Sequence, residues 1–225
     1  MCEIFKPDCT KFIMAQKQSV FHFSPQERKD LLISWLTLSL AFAVVINPAF
    51  FNISNLFYSL PIALLAVGTG FVFHELAHRE AAKYFGFKSE FRAWYPGLLI
   101  ALGLAIATMG QFIFAAPGAT YFLGENVSRK QNGLISLAGP FANIVIGILL
   151  LIIGAQFADK FVQLIFVYAG TINFWFALFN LLPIFPLDGA KVISWKPGVW
   201  VFFILLSGIL VFAPNLILGL IGISA

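Results

Sequence analysis

Several long apolar stretches, separated by short polar ones, are the feature that most constrains the fold of this chain. A helix that crosses the hydrocarbon core of a bilayer needs roughly 20 consecutive apolar residues, and several of these stretches reach that length. The composition agrees, because only 11% of the 225 residues are charged, whereas an ordinary soluble domain has about 25%. The sequence therefore predicts an all-α polytopic membrane protein.

The predicted spans cover roughly residues 28–47, 56–85, 133–155, 161–182 and 198–221. The first helix should begin at Ser24, with Pro25 at its first position and Glu27 completing a capping box. Residues 1–23 are predicted to form a polar leader that is too short for a core of its own. Residues 24–225 are predicted to form a single transmembrane domain.

Residues 97–122 allow two topologies, because the segment is apolar but interrupted by glycine and proline. If it crosses the membrane, six spans result, with ten basic residues inside and four outside; if it dips in and returns, five result, with thirteen inside and only Lys160 outside. Basic residues that flank spans stay cytoplasmic, so a re-entrant or β-like segment is favoured. The N-terminus is then cytoplasmic, the cell membrane is the expected location, and the basic residues require no nucleic-acid partner.

An H-E-x-x-H pattern late in the second span carries the first candidate chemistry. His74 and His78 are four residues apart, so a helix places both imidazoles on one face, where they can bind one metal ion. Glu75 lies beside them and can accept a proton from water. An ionisable group inside a span costs roughly 2.5–3.5 kcal/mol, which a bound metal would compensate. Alternatively, the motif lies at the headgroup edge, as Arg79 and Glu80 indicate.

A catalytic zinc ion normally has three protein ligands, so a third ligand is expected elsewhere. Asp188 is the candidate, because it is an acidic residue next to an apolar stretch. Pro183 and Pro186 end the fourth span and could carry the Asp188 carboxylate back toward the histidines. The alternative is an ordinary Asp-Gly turn at the surface.

Three motifs in combination resemble the site-2 protease family of intramembrane zinc metalloproteases, over about residues 60–195. They are the H-E-x-x-H pattern, the pair Gly139 and Pro140 opening a later span, and Asn180-x-x-Pro followed by Leu-Asp-Gly. Ala77 stands where many members have glycine, which is a small change. The glycine-proline element implies close helix packing.

The resemblance implies one Zn²⁺ per chain, held by His74, His78 and Asp188. It further implies Glu75 as the general base and Asn180 near the scissile carbonyl. The implied substrates are transmembrane proteins in the lipid bilayer, cleaved in or near their spans. The sequence does not indicate an oligomeric state.

The sequence leaves two alternatives each for the role of residues 110–122 and for the activity of the chain. Residues 110–122 could offer a hydrogen-bonding edge to an unwound substrate, or they could be a passive plug in the bundle. The chain could also be a metal-binding membrane protein without proteolytic activity, either an inactive relative or a transporter. A transporter would need acidic or histidine residues on several spans, and the third and fifth predicted spans have none.

Overall fold

Helices make up most of the described part of the chain, which is residues 23–47, 53–113, 117–124, 126–213 and 219 of a computed structural model. The elements in chain order are α1 (Pro25–Ile46), α2 (Ile53–Val67), a π-helical turn (Gly68–Val72), α3 (Phe73–Tyr84), β1 (Lys88–Ala93), α4 (Tyr95–Ala107), β2 (Gly118–Leu123), α5 (Arg129–Gly154), α6 (Lys160–Asn180), α7 (Asp188–Trp195) and α8 (Pro197–Phe212).

Four helical segments are long and apolar enough to cross a membrane: Pro25–Ile46, Phe57–Tyr84, Arg129–Gly154 and Lys160–Asn180. The second combines α2, the π-helical turn and α3. These segments match the first four predicted spans and confirm an all-α polytopic membrane protein. The fifth predicted span corresponds to α8, which has 16 residues, and most of its predicted continuation to residue 221 lies outside the described residues.

The start of α1 differs from the prediction in one respect. Ser24 caps the helix as predicted, because its side chain accepts a hydrogen bond from the Glu27 backbone N–H at 3.1 Å. The Glu27 carboxylate does not close the predicted capping box. It pairs instead with Arg79 at 2.8 Å and accepts the Phe91 backbone N–H at 3.1 Å, because a buried guanidinium needs an anion more than a backbone amide does. The predicted boundary after residue 23 stays a prediction, since residues 1–22 lie outside the described part.

A two-stranded antiparallel hairpin follows α3. β1 pairs with β2 from Lys88 opposite Leu123 to Ala93 opposite Gly118, and α4 lies between the strands in sequence. The chain therefore leaves the end of β1 and returns to it. This agrees with the returning topology, because a crossing segment would have separated the two ends by the thickness of the membrane.

Close helix contacts position the remaining spans. α5 packs against α6, α3 and α7. At the α5–α6 contact, a Cβ added to Gly147 would lie 3.0 Å from the Gly170 carbonyl oxygen, and the reverse distance is also 3.0 Å. Small residues of this kind let membrane helices approach closely. The same helix α5 therefore lies next to both α3, with the histidines, and α7, with Asp188.

Candidate metal centre

The H-E-x-x-H histidines lie on one face of α3 and are both buried. Their Nε2 atoms are 3.0 Å apart. Asp188 Oδ2 lies 3.3 Å from His74 Nε2 and 3.0 Å from His78 Nε2. Asp188 is only 7% exposed, so it is not a surface turn residue. The structure thus brings together the three residues that the sequence analysis selected.

The loop between α6 and α7 positions the Asp188 carboxylate in the cluster. α6 ends at Asn180, and Asp188 is the first residue of α7. A Cβ on Gly189 would lie 2.1 Å from the Leu181 carbonyl oxygen, so glycine is required for α7 to start against the end of α6. Burial opposes ionisation of Asp188, but the His78 and His74 imidazoles hold the pKa of its carboxyl below the usual range. The Lys191 ammonium lies 3.4 Å from the other carboxylate oxygen.

Each imidazole has a second partner on α5. His78 Nδ1 lies 2.7 Å from the Ile135 carbonyl oxygen, and His74 Nδ1 lies 2.5 Å from Asn143 Oδ1. Because a carbonyl can only accept, His78 carries a hydrogen on Nδ1, and in the neutral imidazole the lone pair is then on Nε2. Asn143 is not among the predicted site residues. A signal was present, since Asn143 is a polar residue inside an apolar span, four residues after Gly139.

Gly139 is packed directly against the histidines. A Cβ at this position would lie 2.5 Å from His78 Nε2 and 2.7 Å from His74 Cε1. The predicted role of this glycine was close approach between helices. The structure shows that α5 approaches the two imidazole rings themselves.

The three donors fit a zinc ion. Two imidazoles and a carboxylate are a common ligand set of catalytic zinc, and they leave one of four positions for water or substrate. For tetrahedral bonds of roughly 2.0–2.1 Å, ligand atoms are roughly 3.3–3.4 Å apart. The observed separations of 3.0, 3.3 and 3.0 Å are close to this spacing. The cluster is therefore chemically and geometrically suited to Zn²⁺.

Glu75 points toward the hairpin. Its side chain is half-buried, and its carboxylate accepts a hydrogen bond from the Thr120 hydroxyl on β2 at 2.8 Å. Thr120 is not among the predicted site residues, because nothing in the local sequence relates a residue in the re-entrant segment to a residue 45 positions earlier. The hairpin therefore contacts the residue that follows the first histidine.

Asn180 is the predicted site residue that the structure does not join to the cluster. It is the last residue of α6, and its side-chain amide donates to the Phe176 carbonyl within the same helix at 2.9 Å. Within the described part of the chain it makes no hydrogen bond to His74, His78 or Asp188.

The comparisons with known proteins agree with this geometry. The model of Peptidase family M50 matches residues 62–163. A Methanocaldococcus jannaschii protein named as a zinc metalloprotease is 40% identical over 81% of this chain and 91% of its own length. A second zinc metalloprotease of that organism is 29% identical over 70% of this chain and 40% of its own length.

A further relative, from Mycolicibacterium smegmatis and named as a zinc metalloprotease, is 31% identical over 52% of this chain and 49% of its own length. No solved structure shows a significant match. The extent of the similarity to the first relative, together with the apolar helices and the buried donor cluster, shows that this chain is a membrane-embedded zinc metalloprotease and belongs to peptidase family M50, the site-2 protease family.

Proposed function

We propose that this protein hydrolyses peptide bonds in or near transmembrane segments of membrane proteins, with Zn²⁺ held by His74, His78 and Asp188. One observation carries the proposal. Three buried donor atoms, two from α3 and one from α7, converge to within 3.3 Å of one another in a bundle of apolar helices. Buried ionisable groups are costly in a membrane and occur where they serve a site.

Zinc bound there would lower the pKa of a water molecule toward roughly 7 and polarise a peptide carbonyl. Glu75 is the proposed general base, which accepts a proton from the water and delivers it to the leaving amine. The Thr120 hydroxyl holds Glu75 Oε2. Among the described residues no hydrogen bond is made to Oε1, so this oxygen can take the proton while the carboxylate stays oriented.

Asn180 is proposed to lie near the scissile carbonyl. An amide has two N–H donors, and one of them is engaged by the Phe176 carbonyl. The second can donate to a substrate oxygen that becomes negative in the transition state. Its position at the end of α6, in the chain segment that leads to Asp188, supports this role.

The hairpin is proposed to bind the substrate as an extended segment. A peptide bond inside a transmembrane helix is shielded by the hydrogen bonds of the helix, so a substrate must unwind before attack. β2 pairs with β1 along one edge, and in the described part of the chain no strand pairs with its other edge. A peptide added along that edge would lie beside β2, whose Thr120 side chain contacts Glu75. We therefore favour a substrate-binding edge over a passive plug.

The proposed location is the cell membrane, with several spans and a cytoplasmic N-terminus. In the returning topology, thirteen of the fourteen Lys and Arg residues lie on the side of the N-terminus. The pairing of β1 with β2 supports that topology.

The test is Glu75→Gln in the purified full chain, assayed in detergent against a panel of single-span substrates. The wild type should carry about one zinc per chain and cleave at least one substrate. The variant should keep its zinc and lose cleavage by roughly 100-fold or more. Glu80→Gln, the same change on the same helix, should keep both properties. Retained cleavage in Glu75→Gln would remove Glu75 from its role, and a zinc-loaded wild type that cleaves nothing would favour a non-proteolytic relative.

A further inference from the structure

We propose that Thr69, Asn173 and Asn143 form a hydrogen-bonded relay that sets the tautomer of His74 and thereby its affinity for zinc. These are positioning residues, since only the last of them contacts the histidine. The inference rests on the proposed role of His74 as a zinc ligand. It concerns what holds that ligand in the form that can bind.

The first half of the relay joins α3 to α5. His74 Nδ1 lies 2.5 Å from Asn143 Oδ1. The Asn143 amide nitrogen donates to the Gly70 carbonyl at 2.7 Å and to Asn173 Oδ1 at 3.1 Å. Asn143 is completely buried. Its oxygen and both of its N–H groups are therefore engaged.

The second half joins α5 to α6 and to the end of α2. The Asn173 amide nitrogen donates to the Ala169 carbonyl at 2.9 Å and to the Thr69 hydroxyl at 2.8 Å. The Thr69 hydroxyl in turn donates to the Leu65 carbonyl at 2.7 Å. Asn173 is also completely buried, so water does not compete for these bonds.

The direction of every bond follows from backbone carbonyls, which can only accept. The Leu65 carbonyl takes the Thr69 proton, so the Thr69 oxygen must accept from Asn173. The Asn173 amide then presents its oxygen to Asn143, whose N–H groups face that oxygen and the Gly70 carbonyl. The Asn143 oxygen is therefore the atom that faces His74. Amide and imidazole orientations are assigned from such networks, and this network admits one assignment.

An acceptor opposite His74 Nδ1 requires a hydrogen on Nδ1, and in the neutral imidazole the lone pair is then on Nε2. Nε2 is the atom that faces Asp188 and His78. In the other tautomer, an N–H would point into the cluster and could not bind a cation. Orienting partners of metal-bound histidines act in this way, and their loss typically weakens metal affinity roughly 10- to 100-fold.

The π-helical turn makes the relay possible. Thr69 and Gly70 both lie in the turn Gly68–Val72, and π-helical turns are frequent at functional sites. A Cβ on Gly70 would lie 2.7 Å from Phe176 Cδ2 and 3.6 Å from Asn173 Nδ2, so the missing side chain lets α6 approach. The turn thus supplies one hydroxyl and one carbonyl to the same network.

The experiment combines zinc affinity with a direct observation of the tautomer. Only three histidines are present, His22, His74 and His78, so ¹⁵N-histidine NMR of the zinc-free full chain in detergent can resolve the imidazole nitrogens. Zn²⁺ affinity is measured by competition with a chelator. The wild type should show His74 with hydrogen on Nδ1. Asn143→Leu should lose this preference and bind Zn²⁺ roughly 10- to 100-fold more weakly.

A matched set of threonine variants distinguishes the loss of the relay from a general loss of stability. Thr69→Val removes the hydroxyl and should weaken Zn²⁺ binding several-fold, whereas Thr69→Ser keeps the hydroxyl and should behave as the wild type. Thr171→Val is the control, because the Thr171 hydroxyl donates to the Val167 carbonyl of its own helix at 2.9 Å and makes no other hydrogen bond to the described residues. It should leave the affinity unchanged.

Two results would overturn the relay: an unchanged His74 tautomer in Thr69→Val, or equal Zn²⁺ affinities in Thr69→Val and Thr171→Val. These results can be obtained even if Asn143→Leu does not fold. Failure of the proposed function would look different, because a wild type that binds no zinc, or a His74→Ala variant that binds it normally, contradicts the ligand assignment itself.

Discussion

Helix α3 has two neighbouring faces that are held in different ways. The cluster face, His74 and His78, contacts α5 through an amide oxygen and a backbone carbonyl, both buried and uncharged. Gly139 on α5 lies against both rings. This face is fixed from within the bundle by groups that do not change their charge.

The hairpin face, Glu75 and Arg79, is held by β2 and by the first turn of α1. Thr120 contacts the Glu75 carboxylate, and the buried Glu27 carboxylate pairs with Arg79 while accepting the Phe91 N–H of β1. The hairpin is therefore tied to α3 at two points, one through each strand.

The different contacts of the two faces indicate that each face of α3 has its own role. The cluster face holds donor atoms for zinc, and the hairpin face orients a carboxylate that can move a proton. We therefore expect variants on the cluster face to change zinc binding. Variants on the hairpin face should change cleavage or stability and leave the bound zinc in place.

The largest expected effect is at Asp188, the donor that reaches the cluster face from another helix. Asp188→Ala should lose most of its bound zinc and all detectable cleavage, because two imidazoles alone are an incomplete zinc site. Zinc per purified chain measures this. Asp159→Ala, which changes the exposed N-cap of α6, should keep its zinc. A zinc-loaded Asp188→Ala protein would place the third donor elsewhere.

The next largest effect is expected at Glu27, which holds Arg79 on the hairpin face of α3. Glu27→Gln leaves the buried Arg79 without its buried anion, and breaking such a pair costs roughly 3–5 kcal/mol of stability. Thermal unfolding in detergent should show a clear decrease in the midpoint. Glu80→Gln removes an anion from the same guanidinium, but the Glu80 side chain is 35% exposed, so the decrease should be smaller. If zinc stoichiometry falls in folded Glu27→Gln, the two faces are not independent.

Gly139→Ala tests the cluster face, and we expect an intermediate loss of Zn²⁺ affinity. The added Cβ would meet both imidazoles at 2.5–2.7 Å. Overpacking of this kind costs roughly 1–3 kcal/mol, which corresponds to a roughly 5- to 150-fold loss of Zn²⁺ affinity if the rings are displaced. Gly208→Ala on α8, where a Cβ meets nothing within 4 Å, is the control. Unchanged affinity in Gly139→Ala would mean that the rings are not confined by α5.

The smallest expected effect is at Thr120, whose hydroxyl donates to the Glu75 carboxylate. Thr120→Val keeps the shape and the strand preference of the residue but removes the hydrogen bond to Glu75. Cleavage should fall about tenfold, mainly in kcat, since a hydrogen bond to a charged group contributes roughly 1.5–3 kcal/mol and water replaces part of it. Thr120→Ser should retain activity. A parallel loss of Zn²⁺ affinity would show that β2 also shapes the metal site.

Much of the fold could be predicted because its rules are local. Long apolar stretches set the spans, Ser24 set the start of α1, and the charge distribution favoured a returning segment at residues 97–122. The Glu27 carboxylate was assigned wrongly, because a local capping rule cannot anticipate a buried guanidinium 52 residues away.

The site, like the fold, has features that follow from local sequence and features that depend on contacts between distant residues. By itself, the sequence determined that His74 and His78 share one helical face, because four residues are about one turn, and it selected Asp188 as their partner. Three features became visible only in the folded chain: the Asp188 carboxylate reaches the imidazoles, Thr120 contacts Glu75, and Asn143 and Asn173 form a hydrogen-bonded chain that ends at His74. Those contacts join residues from 30 to more than 100 positions apart, and their distances depend on how whole helices pack, which no local pattern encodes.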